Sequence, residues 1–463
     1  MSESASLAYD EAVSFTAAGG WRIVVAPRPD STTVALRCLV AAGGRHDGAY
    51  PGLSRLTERL VFAARGPRHR DLVAAVDRLG GEAASQTTRE YAEFHAVAPA
   101  TEGPALLALV PELARAPALG AAAVGRERGA LLAALAGLPP PAQALWDLLL
   151  AALWGDHPLA RPPGGTLDGV AALDPARVAT HHAARYEPAH AVLAAAGACA
   201  VDAVRAAAAA LPAPATPPGP DEARASTAVR ECGRPARPVD AARARQAAEP
   251  AALPGRGAAR AGTDAANAGA NESAPAFRGP GSHYRWAPGE VAHVAVAVPV
   301  PDMTHPDRSA LRLLDYLLGR GGSSRLYHAL RLRRSLVYTC QSVYMPYADA
   351  GVFAAQAICA PAQARTVARR LADCLLGLAA TPPTEAELAA AQVRYAGSLY
   401  RGFETNASLA AILGVETLLA HWEPFAASAA RIAAVTPQEI AAVARAYLTS
   451  AHLVQAVVGP REP

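Results

Sequence analysis

The hydrophobic pattern along this chain changes period several times. Four segments alternate or run apolar in the manner of strands: Thr33–Gly44 (TVALRCLVAAGG), Glu90–Pro99 (EYAEFHAVAP), Val291–Val300 (VAHVAVAVPV) and Gly351–Ala360 (GVFAAQAICA). Successive side chains of a strand point to opposite faces, so such runs predict strands with one or both faces covered. Between them lie segments rich in Ala and Leu, which predict helices over Pro51–Ala64, Arg68–Leu79, Gly103–Ala114, Val124–Ala136, Asp307–Leu318 and Ser324–Leu332. Strands and helices cluster and do not strictly alternate. That favours an α+β class, with mainly antiparallel sheets and flanking helices.

The pattern also repeats. Leu173–Gly197 and Val435–Gly459 each open with Asp or Thr before a proline, pass through a Tyr, and end in an apolar run closed by Gly. Pro175 and Pro437, His190 and His452, and Gly197 and Gly459 share one offset of 262 (437 − 175 = 262). An N-cap residue followed by proline at the first helical position starts a helix, and Thr436 with Glu439 forms a capping box. A helix–turn–strand unit recurring near the end of each half points to an internal duplication. Between the halves, residues 211–282 are Ala, Pro, Gly, Arg and Asp with almost no large apolar side chain. Such a stretch buries too little surface to offset its ordering entropy, so it reads as a disordered linker. The expected organisation is two homologous domains, 1–210 and 283–463, joined by that linker.

Composition adds mostly exclusions. A formal net charge of +3 over 463 residues leaves no nucleic-acid or membrane footprint. All 43 basic residues other than histidine are arginine, and none is lysine. Six scattered cysteines without CxxC or Cys/His spacing make a disulfide framework or structural zinc site an unsuitable reading. The N-terminal residues have no basic start or apolar core of a signal peptide, and the apolar segment Leu131–Trp154 is interrupted by Pro139, Pro140 and Pro141. A cytoplasmic protein is expected. The glycine-containing Leu318–Ser324 lacks the lysine a phosphate loop needs.

Four stretches together resemble the pitrilysin/insulinase family of zinc peptidases, in its short bacterial form with two homologous domains per chain. They are Gly43–Gly66 with Leu79–Phe94 behind it, Asp156–Pro188, His305–Tyr338 and Glu385–Leu448, in the family's order. The resemblance implies an inverted HxxEH motif on a helix, where two histidines bind zinc and the Glu between them is the general base. Here that motif aligns with RLTER. Arg55 and Arg59 stand at the two histidine positions, and Glu58 keeps the base position. The family's later glutamate ligand falls at Ala134 or next to it, while Glu127 matches another family glutamate. A guanidinium stays protonated and offers only donors, so it cannot coordinate Zn²⁺. No metal is therefore expected in this chain. Spacing of i, i+3 predicts an Arg55–Glu58 ion pair. Whether the arginines replace the metal's charge or are solvated remnants is open from the sequence.

The resemblance further implies an Arg/Tyr pair seven residues apart on the second domain, here Arg331 and Tyr338, which completes the zinc site of a partner subunit. It also implies an edge strand that binds peptide by strand addition, here Ala83–Thr87, with Ala84 in place of the usual Asn and Ser85, Gln86 and Thr87 following. Tyr338 as a core residue and Ala83–Thr87 as an ordinary sheet edge are the structural alternatives. The expected role is the non-catalytic subunit of a heterodimeric zinc peptidase acting on peptides. Its partner would be a homologous chain with an intact HxxEH, and the zinc would sit in that partner. The alternative is a scaffold or peptide-binding protein of the same fold. His181 and His182 lie on a predicted helix and read as satisfied or solvated, not catalytic.

Overall fold

The computed structural model describes residues 11–17, 19–62, 72–109, 119–211, 274–420 and 425–461. Most of the segment read as a linker lies outside the described residues, as do parts of the helices expected over Arg68–Leu79 and Gly103–Ala114.

Two sheets organise the chain. The first has strands β1 (Val13–Thr16), β2 (Arg22–Pro27), β3 (Thr33–Val40), β4 (Glu82–Thr87), β5 (Ala92–Pro99) and β6 (Ala191–Gly197), in the order β1-β2-β6-β3-β5-β4. The second has β7 (Gly281–Trp286), β8 (Ala292–Val300), β9 (Val337–Pro346), β10 (Gly351–Cys359) and β11 (Val454–Gly459), in the order β7-β11-β8-β10-β9. Apart from β1 the two orders superimpose: β2 and β7 pair in parallel with β6 and β11, and every other pairing is antiparallel. A match of strand order and direction is the physical signature of the duplication.

The helices used below are α1 (Leu53–Phe62), α2 (Leu72–Arg78), α3 (Ala121–Ala136), α4 (Pro141–Trp154), α5 (Pro175–Arg185), α6 (Arg308–Leu318), α7 (Ala364–Ala380), α8 (Glu385–Gly402), α9 (Asn406–Leu419) and α10 (Pro437–Tyr447). Helices α5 and α10 are the repeated units. Asp174 and Thr436 cap them through side-chain oxygens, with proline in the first turn, and Thr436–Glu439 completes its capping box.

The halves are not independent beads. One face of each sheet is covered by its own half: α2 with residues such as Leu106 and Val204 on the first, α6, α7 and α10 on the second. The other face is covered by a helix from the opposite half. Helix α9 brings Leu409, Ala410 and Leu413 onto Val24, Leu39 and Ala194. Helix α4 brings Leu145, Leu149, Leu150 and Leu153 onto Ala295, Ala297, Val454 and Ala456. Gly414 of α9 sits where a Cβ would lie 2.4 Å from Leu39 Cδ1, so a larger residue there would push the helix off the sheet. This exchange explains why α4 is apolar around so much of its circumference, the feature that made Leu131–Trp154 conspicuous. No described helix is long and apolar enough to cross a membrane.

The exchange also moves the domain boundary. β7 begins at Gly281, and before it Phe277 packs against the α4 cluster while the Arg278 N–H donates to Leu153 O at 3.1 Å. Composition alone extends the linker to 282, because one aromatic residue among Ala, Pro and Gly does not reveal the packing partner it finds.

Candidate functional site

The first candidate cleft lies between α1 and the edge strand β4. Gly43 begins the turn that leads there, and no side chain fits at it: a Cβ would approach the backbone of Glu90 and Tyr91 to 2.4 Å. The buried N–H groups at the start of α1, which have no intrahelical acceptor, find one carboxylate. Asp47 Oδ2 accepts from Gly52 N at 2.6 Å and Oδ1 from Ser54 N at 2.7 Å, as the unsatisfied donors of a helix start require. Burial pushes the Asp47 carboxyl up to about 6 despite those bonds. Leu53, Leu56 and Leu60 then pack one face of α1 against Val124 and Leu131 of α3 and Leu173 and Val178 near α5.

Positions 55, 58 and 59 fall on the polar side. The Arg55–Glu58 ion pair expected from spacing forms. Glu58 is buried, at 1% exposure, and further donors reach it: Ser85 Oγ at Oε1, and Thr87 Oγ1 at Oε2 at 3.2 Å. Arg59 turns away and donates from Nε and Nη2 to Glu127 Oε2, at 3.2 and 2.9 Å. Ala134, two turns further along α3, is exposed. The glutamate that reaches the motif helix in this chain is therefore Glu127.

This donor set does not fit a zinc ion. Two guanidiniums stand where the family resemblance implies ligands, each already bound to a carboxylate, and the Glu58 oxygens accept from Arg55, Ser85 and Thr87. Among the described residues no group of three or more His, Cys, Asp or Glu is placed to hold a metal ion.

Strand β4 ends its sheet, so its outer edge is unpaired among the described strands. Its side chains, however, are committed inward and sideways. Ser85 and Thr87 serve Glu58, and Gln86 Nε2 donates to Glu93 Oε1 at 2.9 Å. Burial would raise the Glu93 carboxyl, but hydrogen bonds from His95, Arg37 and Gln86, with the Arg37 charge, hold it below the ordinary value. Ala84, opposite His95, brings no polar group. What β4 still presents is backbone.

The second candidate site belongs to the other sheet, at the equivalent edge strand β9. The segment Tyr327–Leu332, expected as a regular helix, is π-helical, and it leads into a turn where Ser335 has φ +50°. Left-handed backbone at a non-glycine residue is costly and clusters at functional sites, as do π-helical turns. Ladder pairing then passes from Val337↔Cys359 to Thr339↔Ile358, leaving Tyr338 as a bulge residue with no cross-strand partner. A bulge re-aims a side chain, and here it leaves Tyr338 73% exposed. Tyr338 is thus not a core residue. The Arg331 guanidinium lies with its Cζ 5.9 Å from the Tyr338 ring centroid and 6.0 Å from that of Tyr327. It has no carboxylate partner among the described residues.

A buried junction connects the turns that follow these two edge strands. Arg45 donates to Glu90 Oε1 at 3.1 Å, and through both terminal nitrogens to Asp349, at 3.1 and 2.5 Å. Ala348 N–H donates to Glu90 Oε1 at 2.9 Å. Burial, with the nearby Asp349 charge adding to it, pushes the Glu90 carboxyl up to about 7 despite the hydrogen bonds from Ala348 and Arg45. No sequence motif announced this junction, because its members are 45 and 304 residues apart. His181 and His182 are buried beside α1. His181 Nε2 lies 3.3 Å from Ser54 Oγ, and His182 stacks on Tyr186 with ring centroids 4.6 Å apart. Burial lowers both imidazoles to about 4, with Arg185 adding to the shift at His181, so both are neutral packing groups.

Comparison with known proteins agrees with this architecture. Residues 22–166 match the family described as Insulinase (Peptidase family M16), and residues 263–395 match the Peptidase M16 inactive domain. The chain is 30% identical over 449 residues to an uncharacterized zinc protease of Mycobacterium tuberculosis, covering 96% of this chain and 92% of that one. It is likewise 30% identical over 443 residues to one of Streptomyces coelicolor, covering 94% and 86%. Among solved structures it resembles a peptidase M16 inactive domain from Pseudomonas fluorescens (TM-score 0.77, 19% identity, 98% of each chain). It also resembles a protease from Helicobacter pylori (TM-score 0.76, 16% identity, 98% of this chain and all of that one). With both halves matched and relatives aligned over nearly its whole length, this chain belongs to the insulinase-type peptidase family M16.

Proposed function

We propose that this chain is the non-catalytic subunit of a heterodimeric zinc peptidase, supplying Arg331 and Tyr338 to a zinc site held by a homologous HxxEH-bearing partner. The observation that carries the reading is the contrast in availability. The zinc-motif residues are consumed by internal ion pairs and hydrogen bonds, whereas Arg331 and Tyr338 stand exposed at a bulged sheet edge. A guanidinium and a phenol so placed donate hydrogen bonds to a scissile carbonyl or to the oxyanion that develops from it. Donors aimed at developing charge contribute most when held in place beforehand. The zinc-bound water and the general base belong to the partner. The substrate class is an extended peptide, held between the two chains.

The test is reconstitution of the full chain with the HxxEH homologue from the same host. Cleavage of a quenched-fluorescent peptide library should fall by roughly 10²–10³-fold in Arg331→Ala, the scale of a lost oxyanion donor. Tyr338→Phe should fall by a smaller factor. Undiminished cleavage in both variants would overturn the reading and leave the chain a scaffold or peptide-binding subunit.

A further inference from the structure

The Arg331 guanidinium is bracketed by two phenol rings, and only one of them belongs to the pair discussed so far. Tyr327 lies four residues before Arg331 in the π-helical segment, with its ring centroid 6.0 Å from Cζ. Tyr338 lies seven residues after, at 5.9 Å. Both distances match a cation held by ring faces. Arg331 has nothing stronger to hold it, since no carboxylate pairs with it among the described residues. Its neighbours Arg333 and Arg334 are exposed cations of the same sign. A long side chain in this setting would otherwise sample many rotamers, and ordering it at the moment of reaction costs entropy.

The backbone is shaped to bring these groups together. The Arg333 N–H reaches back to His328 O at 3.2 Å and the Ser335 N–H to Arg331 O at 3.0 Å, while Ser335 takes its left-handed conformation between them. The Leu336 N–H then closes on Leu330 O at 2.9 Å. That tight turn delivers Tyr338 to one side of Arg331 while the preceding helical turn keeps Tyr327 on the other.

We infer that Tyr327 is a positioning residue: its ring, not its hydroxyl, orients the Arg331 guanidinium for use at the partner's site. This rests on the proposed role of Arg331. Tyr327 acts through Arg331 and need not touch substrate.

The experiment uses the reconstituted pair and the same peptide library, with Tyr327→Phe, Tyr327→Leu and Arg331→Ala compared. An exposed cation–π contact corresponds to roughly a two- to fivefold effect, so Tyr327→Leu should lower kcat by that factor while KM stays within about twofold. Tyr327→Phe keeps the ring and should match wild type. In the isolated full chain, the Arg331 side-chain NMR signals should carry an upfield ring-current shift that Tyr327→Leu diminishes and Tyr327→Phe retains. This readout needs neither partner nor activity. If Tyr327→Leu matches wild type in both kcat and shift while Arg331→Ala is impaired, the inference fails and the wider reading stands. If Tyr327→Phe is as impaired as Tyr327→Leu, the hydroxyl is the working group and the inference again fails. A silent Arg331→Ala overturns the wider reading and this inference with it.

Discussion

The edge strands β4 and β9 occupy equivalent places in two duplicated sheets, yet the polar residues around them have opposite fates. Around β4, each arginine of the motif helix is matched to a carboxylate: Arg55 to Glu58 and Arg59 to Glu127. Two strand hydroxyls complete the coordination of Glu58. Around β9, Arg331 lies between two aromatic rings with no carboxylate partner among the described residues, and a bulge turns Tyr338 outward. Charges that satisfy one another inside a fold are structural, whereas a cation left at a strained, exposed edge is free to meet something else. The difference separates an edge whose polar groups are satisfied internally from one whose arginine and tyrosine remain exposed, which is the contrast the proposed function rests on.

The largest test of this comparison concerns the junction that links the two edges. Arg45→Met would leave Glu90 and Asp349 buried without their shared cation, which should lower unfolding free energy by roughly 3–5 kcal/mol in a urea titration. A loss below about 1 kcal/mol, the range of surface pairs, would mean that the turns after β4 and β9 are not locked together.

Next comes the functional contrast itself. In the reconstituted pair, Glu58→Gln should leave peptide cleavage within about twofold of wild type, while Arg331→Ala loses roughly two to three orders of magnitude. A base working in catalysis would reverse that order, so a strong Glu58→Gln defect at unchanged folding would erase the distinction drawn between the edges.

The histidines under α1 predict a smaller effect with a defined sign. His181 and His182 have folded-state values near 4 against 6.5 in the unfolded chain, so below pH 6.5 the unfolded state binds protons that the folded state refuses. Their contribution is present in full above pH 6.5 and drains away as pH falls towards 4. Replacing His182 by Asn should flatten the acid side of the stability curve by roughly 1.4 kcal/mol per pH unit in that window. Glu90 acts in the opposite sense. Its folded-state value near 7 makes its contribution fade as pH rises from about 4.5 to 7, and Glu90→Gln should remove that alkaline-side loss.

The smallest expected effect is none. Adding equimolar zinc to the isolated chain should leave its melting temperature unchanged, because a ligand stabilises only what it binds. A stoichiometric zinc signal by elemental analysis would contradict the account of the β4 cleft.

Much of this was legible before any coordinates, and for a common reason. Helix and strand periods, caps and motif spacings are local, so they survive in the one-dimensional order of residues. The arginines at 55 and 59, the i, i+3 pair of Arg55 with Glu58, the repeated helix–turn–strand unit and the Arg331–Tyr338 spacing are all properties of short windows. The apolar Leu131–Trp154 stretch was read only as too interrupted by proline to span a membrane. Its meaning appeared only when α4 was found covering the sheet of the other half.

What the tertiary structure decided was every contact between distant windows. Glu127 reaches Arg59 across 68 residues, Ser85 and Thr87 reach Glu58 across 27 and 29, and Arg45 reaches Asp349 across 304. The exchange of α4 and α9 between sheets and the bulge at Tyr338 likewise depend on how preformed elements pack, because burial rewards whichever surfaces meet, wherever they lie in the chain. The residue order alone determined that arginine stands at positions 55 and 59, where the family resemblance implies histidine ligands. The packing determined that those arginines are held in internal ion pairs beside one edge, while Tyr338 at the other edge faces outward.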